Sequence, residues 1–146
     1  MVNGINSLIS LDQVLHHIVG SLLCNCSTTL TFTHMLHSRY KSKEDLEAYT
    51  THPSHLGIVR GNILLIIKDL LVVIWVANDN DLVPATGSAI HVTLLKLKEG
   101  VGNSEVVEVI RGILKSFKQI SQLTYGEKFS PARAKVFRLL HLLCFP

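Results

Sequence analysis

"THMLHSRYKSKEDLEAYTTHPSH", residues 33–55, decides how this chain is read. Its first part continues an alternation that starts at Leu30. Leu30, Phe32, His34, Leu36, Ser38 and Tyr40 fall on one face of an expected strand. Ser42-Lys43-Glu44-Asp45 then carries a capping-box pattern, so a helix should begin at Lys43. Leu46 and Tyr49 lie three apart on that helix and share its inward face. Pro53 interrupts it, because proline has no N–H and its ring clashes with the preceding turn. A second helix should follow, with Leu56, Val59, Ile63 and Ile66 on one side.

The flanking segments extend this pattern in both directions. Apolar residues at 2, 5, 8 and 9 have helical spacing. Residues 13–23 are β-branched and apolar and read as a strand that pairs with 30–40 as an antiparallel hairpin. The continuous apolar run 70–77 reads as a buried strand. Residues 79–88 collect Asn, Asp, Pro, Gly and Ser and read as a linker. A strand over 89–98 and a helix after Ser104, its expected cap, come next. The helix carries Val106, Val109, Ile110, Ile113 and Phe117 as its apolar stripe. "ISQLTYGEKF" reads as a further strand, and 136–146 is apolar with no turn signal before it.

"QVLHHIVG" (13–20) and "QISQLTYG" (119–126) echo one another. Each runs from Gln through a β-branched residue to Gly, and each follows an amphipathic helix containing Gly-Ile. Two copies of one unit follow from this. The full unit is strand–helix–strand–strand–helix–strand, a ferredoxin-like α+β layout. The expected organisation is a first domain over 1–78, a linker over 79–88, part of a second domain over 89–135, and a divergent apolar tail over 136–146. The strand over 89–98 could also pair with the first copy's sheet, in place of an opening strand.

Composition narrows the function. Apolar residues are 47% of the 146 and charged residues 17%, with a net charge of +3. The 14 lysines and arginines are scattered rather than grouped with aromatics, which argues against a nucleic-acid partner. The most apolar window, 62–77, carries Lys68 and Asp69 in its middle. Each would cost roughly 2.5–3.5 kcal/mol at a bilayer centre, so no membrane span is expected. The opening residues do not have the pattern of a signal peptide. Cys24, Cys26 and Cys144 form neither a disulfide framework nor a zinc spacing, and they read as reduced thiols. His52 and His55 supply two ligands where zinc needs three or four. His16 and His17 are adjacent and point to opposite faces of a strand. No metal ligands and no cofactor are assigned.

The segment 33–55 closely resembles the plant stress-response A/B barrel domain, of the dimeric α/β-barrel superfamily. The Thr-His strand, the Ser-Lys-Glu helix start, the tyrosine and His52-Pro53-Ser54-His55 carry the resemblance. "AIHVTLLKLKEG" resembles the first strand of such a domain, with a histidine at the place of His91. The arrangement around "WVAND" is similar to the tandem-domain type. The resemblance implies a ferredoxin-like antiparallel sheet with helices on one face, closed into a barrel by a homodimer or by domains within one chain. It further implies a first copy without its opening strand and a second that stops after its second strand, a chain truncated at both ends. A cytoplasmic location is the default; some tandem relatives are peroxisomal, and the C-terminal "CFP" is not a peroxisomal address.

One relative of the family is a polyketide cyclase that closes a ring by aldol condensation without a cofactor. Its tyrosine and its second His-Pro-x-His histidine match Tyr49 and His55. Aldol closure needs a base for an acidic C–H and a donor for the developing oxyanion. A neutral imidazole and a dry tyrosine hydroxyl can serve. His34, Leu36, His52, Trp75 and His91 would line the pocket, which would suit a small hydrophobic ligand. The competing reading makes Tyr49 a core residue with a hydrogen-bonded hydroxyl, and has His52 and His55 satisfying orphan helix-end carbonyls. Association or binding without catalysis is the preferred expectation, with the cyclase-like enzyme as the alternative.

Overall fold

The computed structural model describes residues 2–25, 31–77, 83–85, 87–127 and 139–145. Cys26, Leu30, part of the expected linker and 128–138 lie outside the described residues. The chain forms two compact units, 1–69 and 70–146.

The first unit opens on helix α1 (Val2–Asn6) and a short 3-10 turn (Ser7–Ser10). Ile5 and Leu8 are buried there, whereas Ile9, expected on the same face, is 53% exposed. Strand β1 (Val14–Ser21) pairs antiparallel with β2 (His34–Tyr40). The register sets His17 opposite Ser38 and Ile18 opposite His37. Alternation therefore puts His17, Ser38 and Tyr40 on one face and His16, His37 and Arg39 on the other. Helix α2 (Lys43–Thr51) begins where the capping pattern placed it. The Ser42 hydroxyl accepts from the Asp45 amide at 3.1 Å. The helix ends at His52, whose ψ of 133° is extended. The proline ring at the next position excludes helical backbone there. Pro53 then starts α3 (Pro53–Ile58), where its missing N–H costs nothing.

The second helix departs from expectation after Ile58. Val59–Ile63 is one wide π turn, closed by the Leu64 amide on the Val59 carbonyl at 2.9 Å. The extra residue per turn rotates the stripe out of phase. Val59 and Ile63 stay half-buried, while Ile66 is 63% exposed.

The second unit contains strand β3 (Ala89–Leu95), helix α4 (Asn103–Ser116), β4 (Gln122–Glu127) and β5 (Leu139–Phe145). α4 begins one residue ahead of Ser104, so Ser104 lies inside it and is not its cap. The sheet order is β3-β5-β4, with β5 antiparallel to both neighbours. This is a split β-α-β unit. Ile110 of α4 packs on Leu123 and Tyr125, with Val106, Val107 and Leu95 around them. Val109 and Phe117, expected in the same stripe, are 68% and 56% exposed.

Three expectations are corrected here. Residues 136–146 are not a tail outside the fold: 139–145 form the central strand of the second sheet. The second unit thus holds a third strand beyond the two expected there. A continuous apolar run does not by itself distinguish a strand from other apolar segments, so its sequence carries no sign of the pairing. The strand from 89–98 does not join β1 and β2; it pairs with β5. The run 70–77, expected in the first domain's sheet, groups with the second unit and is irregular apart from a bridge at Trp75. Trp75 lies on β4, where its indole N–H donates to the Thr124 hydroxyl at 3.4 Å.

Candidate functional site

Helix α2 presents Tyr49 to the β1–β2 hairpin, and the break at His52 turns the chain so that α3 brings His55 back beside it. The Tyr49 ring lies 4.5 Å from that of His55, 5.1 Å from that of Tyr40 and 6.2 Å from that of His17, centre to centre. Tyr49 is 5% exposed. The two residues singled out in the sequence are thus neighbours, within a cluster of four rings.

The hydrogen bonds fix how this cluster handles protons. His55 Nδ1 lies 3.1 Å from the Thr50 carbonyl. A carbonyl only accepts, so Nδ1 carries the proton and the neutral ring keeps its lone pair on Nε2. His52 has the opposite tautomer. Its Nδ1 accepts from the Ser54 amide at 3.2 Å, leaving the proton on Nε2. His55 therefore satisfies an orphan carbonyl of α2, while His52 caps α3. Both were expected to serve carbonyls, and His52 instead serves a donor.

Burial raises the Tyr49 hydroxyl above the usual phenol range, and a hydrogen bond with Tyr40 partly offsets this. Burial also raises Tyr40, well beyond ordinary tyrosine, and the neighbouring Tyr49 adds to it. The Tyr40 and Tyr49 hydroxyls share a hydrogen bond. Ser38 bonds to Tyr40 in turn, and Ser38 Oγ is 2.8 Å from His17 Nδ1. His17, Ser38, Tyr40 and Tyr49 are thus linked in series.

Of the other expected residues, His34 and Leu36 are exposed within the first unit. His34 is exposed at the start of β2 and lies 3.0 Å from the Thr33 hydroxyl. Leu36 shares the Ser38–Tyr40 face but is 47% exposed. Trp75 and His91 belong to the second unit, on β4 and in β3 respectively. His17, Ser38 and Tyr40 were missed as members of the cluster. The hairpin register would have revealed them, and the register depends on a turn with no decisive motif. Among the described residues, no three His, Cys, Asp or Glu side chains converge on a common point.

The profile described as Stress responsive A/B Barrel Domain matches residues 1–76. The chain belongs to the stress-response A/B barrel family. Two Arabidopsis thaliana relatives, each described as a stress-response A/B barrel domain-containing protein, extend the likeness beyond that segment. One is 46% identical over 99% of this chain. The other is 46% identical over 95% of it. The chain spans 57% of the length of the first and 67% of the second. No solved structure matches it. The ferredoxin-like α+β class is that of the A/B barrel domain, and the antiparallel sheets agree with it.

Proposed function

We propose that this A/B barrel chain acts by association through its first unit and not by catalysis. The carrying observation is the two-stranded sheet. Among the described residues no third strand joins β1 and β2. A lone hairpin is marginal in water, and an open edge recruits another strand or sheet. Leu36 on one face is 47% exposed and Ile18 on the other is 46% exposed, so both faces offer apolar surface. The filled surroundings of Tyr49 support the same reading, since a ring packed against three others leaves little room for a substrate. A second copy of the chain, or a further domain of a longer one, would supply the missing cover.

Leu36→Lys tests this. The residue is exposed, so the fold should survive, while self-association should weaken roughly 10-fold, the effect of about 1.4 kcal/mol at an apolar contact. Unchanged association would remove that face from the interface.

One observation favours a second reading, a cofactor-independent cyclase-like enzyme. The Thr50 carbonyl holds His55 in the tautomer whose Nε2 can take a proton. Incubation with a linear poly-β-ketone discriminates the two. Ring closure lost in both Tyr49→Phe and His55→Ala would favour the enzyme; equal product in wild type and both variants would not.

A further inference from the structure

The hairpin carries more imidazole than its packing accounts for. His17 and His37 are 5% and 6% exposed, and His16 is half-buried. His16 Nε2, His17 Nε2 and His37 Nδ1 are buried ring nitrogens with no hydrogen-bond partner among the described residues. The His16 and His37 rings are 5.2 Å apart on one face of the hairpin, the face that also holds Arg39. His17 lies on the other face, with Tyr49 of α2, His55 of α3 and the Ile5 carbonyl of α1 against it.

We propose that the β1–β2 hairpin is an acid-sensitive latch: protonation of its buried histidines opens the first unit while the second stays folded.

The physical reason is weak compensation. A proton added at His16 Nε2 or His37 Nδ1 finds no acceptor among the described residues, the Ile5 carbonyl compensates His17 in part, and the charge has to be held away from water. The charges acting on His37 are those of His16, Arg39 and His17, all of one sign. His16 acts on His17, and so does His55; the Ile5 carbonyl is the one group that favours the His17 proton. The 3-10 turn and α1 carry no titratable side chain. Asp12 before β1 and Glu44 and Glu47 on α2 are exposed, and Asp45 sits at the Ser42 cap; among the described residues no carboxylate acts on the three rings. Burial is the first cause that lowers all three histidines, and it takes His37 from 6.5 to about 4.

The direction follows from linkage. Between those two values the opened chain binds a proton that the folded one refuses, so stability falls as pH falls. The loss begins near the ordinary histidine value and is complete for His37 only near its folded value. From about pH 7.5 to about pH 5, His37 alone should lower the folded-to-open ratio roughly 30-fold.

Hydrogen exchange of the full chain, read by mass spectrometry at those two pH values and corrected for intrinsic rates, tests the latch. Peptides covering β1 and β2 should lose protection at the lower pH while peptides covering β3 to β5 keep theirs. His37→Leu removes the main titrating ring and should flatten the difference. His16→Gln relieves the nearest like charge and should reduce it, and serves if His37→Leu does not fold. Equal protection of the hairpin at both values, equal loss in both units, or undiminished acid sensitivity in the variants would each overturn the proposal.

Discussion

Tyr49→Ala should cost the first unit about 3–5 kcal/mol, the range for deleting a buried aromatic ring from a packed core. Tyr49 is 5% exposed and meets three other rings, so its removal leaves a hole that two strands and two short helices cannot close. A domain of this size has total stability on the order of 5 kcal/mol, so the variant should be largely unfolded there. Tyr49→Phe keeps the ring and should cost only about 1–3 kcal/mol, because it removes one partner of the buried Tyr40–Tyr49 hydrogen bond. Near-ultraviolet circular dichroism suits the measurement, since Tyr40 and Tyr49 are two of the three tyrosines in the chain. A catalytic tyrosine lining an open pocket would give a different result: Tyr49→Ala would be tolerated in stability, and only turnover would suffer.

Gly126→Val should destabilise the second unit by about 3 kcal/mol, the upper end for overpacking a filled site. A Cβ at Gly126 would lie 2.6 Å from the Val76 carbonyl oxygen and 2.8 Å from Trp75 Cδ1. The nearest atom is backbone, so rotation of a side chain cannot relieve the clash. Valine favours strands, and an exposed strand glycine replaced by valine would be expected to gain stability. A loss therefore reports that residues 75–76 lie against β4. The single tryptophan, Trp75, is at the point of contact, so urea unfolding followed by its fluorescence reads the effect directly. A stabilised Gly126→Val variant would place the 70–77 run elsewhere.

Much of the first unit was legible because its signals are local. Ser42 caps through the next three residues, Pro53 breaks through its own ring, and the hairpin alternates with period two. The pairing of Tyr49 with His55 also follows from short-range geometry, six positions apart across one break. What was hidden depends on distant partners. The 70–77 run is apolar whichever sheet it joins, and its sequence does not name Thr124 and Gly126 as neighbours. The "LLHLLCF" strand lacks both alternation and a turn signal, so nothing local marks it as the centre of a sheet. The π turn at 59–63 shifts Ile66 outward although its spacing is helical. His17 and Ser38 meet only through the hairpin register, and the segment that sets the register has no strict turn motif.

Sedimentation equilibrium of the wild-type chain over a range of concentrations tests the central claim most directly. The chain mass is 16.2 kDa. Association through the first unit predicts an apparent mass that climbs with concentration toward at least twice that value, and a curve displaced to higher concentration for Leu36→Lys. A mass that stays at that of one chain throughout, for wild type and variant alike, would contradict it.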